Sequence, residues 1–396
     1  MDGDNEMGGN VGSVVHGSGG HAYTSGSCHS ALDGPAPADR RLVSSYGEAR
    51  RFLVDPRNSR ARLLQVPSGP ASAMSVTEMD PPQHTRIRTL VSSAFSARAI
   101  TRRVPMLQRR AHALTERMRR SGANCDVMTE FCIPFAYATH CDVLGVPEQV
   151  RGELYRWSCA RSAGPDTSGP QLYRAETGLH RAVSDLLLSS RRLGGLLGEL
   201  AEAHKGGAVS GQELTGLAAS LFFDGHILAS NQLANALLCL FVHPSHLARL
   251  LADPALLDAT VEETLRYSPS ITIGMTRLTH TGSRAAVAFG TANRDPHVFN
   301  EPDRFIPLRA APHHLSFGRG PHHCLGAELV RAELRTALTV LFNRLPGLRL
   351  AAADDAVTWS ASATVRGPQK LPVKWDHTTG AQRLGSRRVK RPRRWA

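Results

Sequence analysis

The sequence predicts a mainly α-helical fold with a small β part. Helical periodicity runs through residues 100–145 and is longest from Gln212 to His243. Weakly alternating stretches between Arg277 and Asn293, and again from Leu371 to Trp375, indicate short strands. Most of the chain is therefore expected to be helical.

Composition divides the 396 residues into three parts. Residues 1–40 are rich in glycine, serine and histidine and are expected to be disordered. Residues 41–375 form the predicted folded part. Residues 376–396 carry much of the formal net charge of +13, and we expect a solvated basic tail there rather than a nucleic-acid-binding segment.

Composition also indicates where in the cell the protein is expected to reside. The hydrophobic content of 41% supports a sizeable core, but no apolar run is expected to be long enough to span a bilayer. The N-terminus is acidic and glycine-rich, unlike a secretory signal, so a cytoplasmic protein is expected. The seven cysteines include no Cys-x-x-Cys pair and suit reduced thiols rather than a disulfide framework.

The first elements follow from local signals. Leu42 and Val43 are expected to end a strand, and Tyr46–Leu53 reads as a short helix that Asp55 and Pro56 stop. A long loop is expected from Asn58 to Thr77, and the next helix begins at Asp80-Pro81-Pro82. Residues 58–78 and 160–195 are expected to contribute substrate contacts.

One cysteine lies in a setting that suits metal binding. Cys324 ends a loop that contains Gly318 and Gly320, and a helix is predicted from Gly326 to Val340. The positive end of that helix is expected to lower the thiol pKa, and the glycines allow a flat group to approach. The alternative is a structural cysteine at a loop–helix junction.

Three further patterns indicate functional helix faces. His84 and Arg88 are four residues apart and could grip paired carboxylates, although two such residues also suit a solvated face. Glu263 and Arg266 are three apart and can pair. Gly225 lies in the middle of the long apolar helix, where glycine costs about 1 kcal/mol relative to alanine. Close approach of a flat cofactor would explain it.

The loop carries a resemblance to the cytochrome P450 family. The segment Phe317-Gly318-Arg319-Gly320-Pro321-His322-His323-Cys324-Leu325-Gly326 resembles the family's haem-binding loop at every fixed position. The helix from Met79 to Arg88 and the long apolar helix also resemble family elements. Together these similarities cover about residues 41–375.

The resemblance implies a single P450 domain with haem b between the long distal helix and the cysteine loop. Cys324 would be the axial metal ligand. The implied cofactor contacts are His84, Arg88, Arg277, Phe317, His322, Cys324 and Gly326. A buried charge cluster would brace the proximal side, formed by Glu263, Arg266 and Arg304.

The family also implies an enzyme that depends on external electron donors. A ferredoxin and a ferredoxin reductase are the expected partners, because the sequence contains no flavin or iron–sulfur segment. The other expected partner is a small aromatic substrate. The protein is expected to be a monomer.

The distal helix departs from the family pattern. Most members carry an acid followed by an alcohol, where this chain has Ile227 and Leu228, and neither side chain can donate a proton. Asp224 lies about one turn earlier and could act as a displaced acid. The candidate catalytic residues are Asp224 and Gly225, His226 is expected to be structural, and the candidate pocket residues are Phe222, Phe223, Ile227 and Leu228.

This apolar distal stretch resembles, more weakly, P450s that act on cyclic dipeptides or couple aromatic groups. That resemblance implies oxidative C–C or C–N coupling of an indole or phenol compound in secondary metabolism. A conventional hydroxylase that uses Asp224 or water for protons is the enzyme alternative. A catalytically inert haem-binding protein is the alternative from another class.

Overall fold

The computed structural model describes residues 40–64, 75–161, 169–189, 193–310, 313–351, 357–360, 362 and 364–376. The predictions for residues 1–39 and for the basic tail from residue 377 lie outside this range. Within it, the mainly helical fold with a small β part is confirmed.

Thirteen α-helices are present in the described residues. They are α1 (Tyr46–Val54), α2 (Arg60–Leu64), α3 (Gln83–Ser92), α4 (Ala97–Ser121), α5 (Ile133–Leu144), α6 (Glu148–Arg161), α7 (Gly169–Leu188), α8 (Gly195–Lys205), α9 (Gly211–Val242), α10 (Pro244–Ala252), α11 (Leu257–Tyr267), α12 (Phe289–Ala292) and α13 (Ala327–Arg344). The loop expected from Asn58 to Thr77 thus contains the short helix α2, and its residues 65–74 lie outside the described range.

Six short strands form two three-stranded sheets in the described chain. The strands are β1 (Arg41–Val43), β2 (Asn124–Asp126), β3 (Arg277–Leu278), β4 (Arg284–Val287), β5 (Arg349–Leu350) and β6 (Pro372–Lys374). In the first sheet, β4 pairs in parallel with β1 and antiparallel with β3, with Leu42 opposite Ala286. In the second, β6 lies between β2 and β5, antiparallel to both.

Helix α9 is the central helix of the core. It begins with a capping box, in which Ser210 accepts the backbone N–H of Glu213 and the Glu213 carboxylate accepts the backbone N–H of Ser210. It packs against α5, α7, α11 and α13, and most of its residues from Leu214 to Leu240 are buried. This packing places one face of α9 opposite the loop that precedes α13.

Among the described residues, α9 is also long and apolar enough to cross a membrane by length and composition. The expectation that no apolar run reaches that length is therefore wrong. However, 67% of the apolar window is buried inside the protein, which is the behaviour of a core helix.

Candidate active site

The segment before α13 forms a tight loop that ends at Cys324. Gly318 and Gly320 have φ angles of +68° and +74°, a region that favours glycine. A Cβ atom on Gly320 would lie 3.0 Å from the Leu53 carbonyl oxygen, so the loop also needs glycine for space. The backbone N–H of Cys324 donates to the Phe317 carbonyl at 2.8 Å, which closes the loop.

Side chains from outside the loop hold it against α11. The Asn293 side chain accepts the Leu315 backbone N–H at 2.7 Å and donates to the Ser316 hydroxyl at 2.8 Å. The Ser316 hydroxyl donates in turn to the Leu265 carbonyl of α11 at 2.6 Å. The position of Cys324 is therefore fixed by a network of satisfied hydrogen bonds.

The pKa of the Cys324 thiol differs from the expectation. Burial raises its pKa above the ordinary value, although the Gly326 backbone N–H and the Arg88 charge act in the opposite direction. The predicted helix-end effect is thus present, but burial outweighs it. A coordinated metal deprotonates a thiol outright, so the raised pKa does not oppose metal ligation.

A group of nitrogen donors lies beside the loop. The rings of His84 and His322 have centroids 4.3 Å apart, and an Arg88 Nη atom donates to the His323 carbonyl at 2.5 Å. Burial lowers the pKa of Arg277 to about 10 and that of His322 to about 3, and Arg277 itself further lowers the latter.

These donors suit an anionic group. His84 is only 2% exposed, and neither of its ring nitrogens has a hydrogen-bond partner among the described residues. Buried donors normally have partners, and guanidinium groups bind carboxylates well. The residues present therefore fit two propionate groups of a haem.

One cavity of about 330 Å³ brings the two sides of the site together. Its floor includes the cysteine loop, and α9 contributes to the opposite wall. All seven residues expected to contact the cofactor line this cavity: His84, Arg88, Arg277, Phe317, His322, Cys324 and Gly326. A flat group bound in this cavity would lie among residues of the cysteine loop and of α9.

Only some of the distal residues lie where the sequence predicted. Asp224, Gly225 and Leu228 line the cavity together with Leu221, as spacings of three and four residues on one helix face require. The expected lining residues Phe222, Phe223 and Ile227 do not. Phe222 and Phe223 are 2% and 5% exposed in the core, and Ile227 packs against the same core.

The mid-helix glycine has a different neighbour from the one expected. A Cβ atom on Gly225 would lie 1.6 Å from Nε2 of His140, a residue of α5 that the sequence analysis missed. That nitrogen donates to the Leu221 carbonyl at 3.1 Å, because a carbonyl can only accept. Gly225 thus makes room for an imidazole ring as well as lining the cavity.

His226 lies in the core, as expected for a structural residue. Its Nδ1 donates to the Phe222 carbonyl at 3.0 Å, and its Nε2 lies 3.1 Å from the Ser158 hydroxyl. Burial lowers its pKa to about 4, so the ring is neutral at physiological pH.

The proximal brace contains two of its three expected members. Glu263 and Arg266 form a bidentate pair at 2.7 and 2.8 Å, with side chains 4% and 3% exposed. Arg266 also donates to the carbonyls of Asn293 and Pro302, both at 2.9 Å. The pair therefore ties α11 to the segment before the cysteine loop.

Arg304 is not part of this buried cluster. Its side chain is 69% exposed and pairs with Glu301 at the surface, and only its backbone carbonyl accepts from Arg266. Arg309 takes its place, with Nε 3.5 Å from a Glu263 carboxylate oxygen and 8% exposure. Arg304 was assigned to the cluster from the family resemblance alone, and that resemblance placed the arginine five residues too early.

Several cavity residues carry no motif that the sequence could reveal. They are Arg60 of α2, Glu78 in the segment before α3, His140 of α5, and Glu176 and His180 of α7. Glu78 and Glu176 lie in the regions 58–78 and 160–195 that were expected to contact substrate. His140 was not anticipated, since a lone histidine in an apolar helix indicates nothing specific.

Comparison with known proteins agrees with this geometry. A sequence model of the family "Cytochrome P450" matches residues 179–346. Nocardicin C N-oxygenase from Nocardia uniformis subsp. tsuyamanensis is 31% identical, over 86% of this chain and 91% of its own. The chain belongs to the cytochrome P450 family. As a P450 it is an enzyme of the monooxygenase type, and the family binds haem b.

Solved P450 structures share the fold throughout the folded part. The crystal structure of HinD with NMFT and NO superposes with a TM-score of 0.79 at 34% identity, covering 84% of this chain and 89% of HinD. CxnD, described as the cytochrome P450 enzyme for C–S bond formation in chuangxinmycin biosynthesis, has a TM-score of 0.77 at 27% identity, with 85% and 89% coverage. Relatives therefore include both oxygen-transferring and bond-forming enzymes.

Proposed function

We propose that this P450 of secondary metabolism joins aromatic groups of a small molecule, such as an indole- or phenol-containing cyclic dipeptide, through a new C–C or C–N bond. The observation that carries the proposal is Leu228, an apolar side chain on the cavity wall at the position where most P450s have an alcohol. Ile227, at the acid position, is turned into the core.

The bound haem would supply one-electron and dioxygen chemistry. Cys324 would hold it on the proximal side, while His84, Arg88, Arg277 and His322 would bind its propionates. Leu221 and Leu228 line the cavity on either side of Asp224, so the chain offers no hydroxyl at position 228 to hold a water. In this proposal, the missing alcohol favours removal of hydrogen from the substrate over oxygen insertion.

The overall reaction balances without oxygen transfer to the product. Two substrate X–H groups lose two protons and two electrons as one X–X′ bond forms. Dioxygen accepts those electrons together with two from a ferredoxin, and with four protons it becomes two waters. We propose a ferredoxin and ferredoxin reductase as donors, and a monomer that acts in the cytoplasm.

A hydroxylase is the second candidate, and Asp224 favours it. This carboxylate lies on the cavity wall one turn before Leu228 and could provide the proton path that the usual pair provides elsewhere. Nocardicin C N-oxygenase, a relative named for oxygen transfer, supports the same alternative.

Turnover under ¹⁸O₂ separates the two candidates. Aromatic cyclic dipeptides are first screened for shifts in the haem spectrum, and those that bind are incubated with ferredoxin, its reductase and NADPH. We expect a product two hydrogens lighter than its precursors and free of ¹⁸O. A product that carries one labelled oxygen would establish the hydroxylase instead.

A matched pair of variants tests the role of Leu228. Leu228→Thr adds a hydroxyl to the cavity wall, and Leu228→Val has nearly the same shape without it. We expect Leu228→Thr to raise the labelled fraction of product above that of Leu228→Val. Equal fractions in both variants would show that the missing alcohol does not select the reaction.

A further inference from the structure

Three carboxylates line the same cavity as the propionate donors. Glu78 precedes α3, Glu176 lies on α7 and Asp224 on α9, and all three line the cavity. The negative charges of Glu176 and Asp224 both raise the pKa of Glu78, so the three groups are within electrostatic range of one another. Acidic residues from three separate parts of the chain thus line one cavity.

The Glu78 side chain is partly buried. Its Oε2 atom is buried and has no hydrogen-bond partner among the described residues. Desolvation is the main reason that its pKa rises to about 7, with the Arg60 charge and the Ser75 backbone N–H acting against the rise. A buried carboxylate oxygen without a donor is costly, and a ligand N–H would relieve that cost.

His140 adds an independent observation from another helix. Its side chain is 5% exposed, and its Nε2 hydrogen is used on the Leu221 carbonyl. Burial lowers its pKa to about 3, so the ring is neutral and Nδ1 is an acceptor. Nδ1 has no partner among the described residues, although His140 lines the cavity. The cavity lining thus includes two acceptor atoms that have no hydrogen-bond partner among the described residues, Oε2 of Glu78 and Nδ1 of His140.

The arginines that line the cavity are Arg60, Arg88 and Arg277, and the acids are Glu78, Glu176 and Asp224. Arg60 lies within electrostatic range of Glu78 and also of Arg277 and His322. Two propionates would add two negative charges to this lining. A bound cation would offset part of that excess.

We propose that the substrate carries a protonated nitrogen, an amine or guanidine, and that Glu78 anchors it in the distal half of the cavity. An ammonium or guanidinium group has several N–H donors and no acceptor, which matches the unpartnered acceptor atoms of Glu78 and His140. Glu78 is thereby a specificity-determining residue. The proposal rests on the proposed function only in assigning the substrate to this cavity.

The test uses two probes that differ in charge, 4-phenylbutylguanidinium and 4-phenylbutanol. The guanidinium is charged at every pH used, and its protonated form has no lone pair for the haem iron. Titration of the holoenzyme by calorimetry at pH 8 should show the guanidinium binding at least about tenfold more tightly than the alcohol, a difference of about 1.4 kcal/mol. Equal affinities, or no binding of the guanidinium, would overturn the proposal.

Glu78→Gln removes the charge and keeps the shape. We expect it to weaken guanidinium binding about tenfold and to leave alcohol binding unchanged. Glu116→Gln on the remote helix α4 should change neither. If Glu78→Gln weakens both probes equally, the residue shapes the pocket without selecting a cation, and the proposal fails. Unchanged reduced carbon-monoxide spectra verify that each variant retains its haem site.

The pH dependence gives a second readout. Guanidinium affinity of the wild type should rise from pH 6 to pH 8 as Glu78 ionises, and the rise should be smaller in Glu78→Gln. The other titratable or charged groups facing this space are Arg60 of α2, His140 of α5, Glu176 and His180 of α7, and Asp224 of α9. An equal rise in both proteins would assign the effect to one of these groups and remove Glu78 as the anchor.

The outcome is separable from that of the oxygen-label experiment. Incorporation of ¹⁸O would refute coupling and leave the preference for a cation intact. Loss of that preference would refute the role of Glu78 as the anchor. It would not distinguish coupling from hydroxylation.

Discussion

At the scale of single residues, burial decides which charges matter to this fold. Glu263 and Arg266 are almost fully buried, and together they bind the carbonyls and the Ile306 N–H that position the segment before the cysteine loop. Arg304 pairs with Glu301 in solvent. Ion pairs of the first kind are costly to break, and those of the second kind contribute little.

Removing one partner of the buried pair should therefore destabilise the protein strongly. Glu263→Gln leaves Arg266 without a counter-charge in the core, and we expect a loss of about 3–5 kcal/mol in the free energy of unfolding. Urea denaturation followed by circular dichroism measures this loss. The haem content of the purified variant should fall as well.

Arg304→Ala is the matched control. Because its side chain is solvent-exposed, we expect a change within about 0.5 kcal/mol. A large effect at Arg304 together with a small one at Glu263 would contradict a buried Glu263–Arg266 pair and an exposed Arg304.

At the scale of elements, the contact between α5 and α9 defines the distal side. The ring of His140 occupies the space beside Gly225 and donates to the Leu221 carbonyl of the same helix. Glycine is therefore required for packing at this point, although it is a poor helix former.

Gly225→Ala tests this contact. The helix would gain about 1 kcal/mol in propensity, but the new methyl group meets an imidazole in a packed core, and such overpacking costs about 1–3 kcal/mol. We expect a net loss of up to about 2 kcal/mol in the free energy of unfolding, measured by urea denaturation.

The same change in a His140→Ala background should have the opposite sign. With the ring removed, only the propensity gain of about 1 kcal/mol remains, so Gly225→Ala should stabilise that variant. A double-mutant cycle with no coupling between the two positions would show that another neighbour requires the glycine.

At the scale of the whole molecule, sequence and structure agree where long patterns or dense motifs exist. The apolar periodicity predicted α9 to within one residue at each end, and the cysteine loop indicated residues that all meet at one cavity. Helical period alone could not tell which face of α9 turns inward, so Phe222, Phe223 and Ile227 were assigned to the wrong surface. Arg309, Glu78 and His140 act through tertiary contacts that leave no local pattern.

Buried histidines couple the stability of the whole fold to pH. Burial lowers the pKa of His140 to about 3 and that of His226 to about 4, from an ordinary value of 6.5. Between about pH 4.5 and 6.5 the unfolded chain therefore binds protons at these sites that the folded chain does not. Each site then makes stability fall as pH falls, by up to about 1.4 kcal/mol per pH unit.

Two acids with raised pKa values, one partly and one fully buried, act in the opposite sense. The pKa values of Glu78 and Glu333 are raised by burial, so the folded chain binds protons there that the unfolded chain releases, and stability rises as pH falls. The pH dependence of the free energy of unfolding therefore contains both effects. The difference in that free energy between the wild type and a histidine variant isolates the contribution of one site.

His226→Gln should therefore flatten the pH dependence of stability. It lowers the free energy of unfolding at pH 7, because the hydrogen bonds to Phe222 and Ser158 are disturbed. The deficit relative to wild type should shrink by about 1 kcal/mol or more between pH 6.5 and pH 5. The exposed His280, changed in the same way, should leave the wild-type slope unaltered. A deficit that stays constant with pH would mean that His226 is protonated in the folded protein.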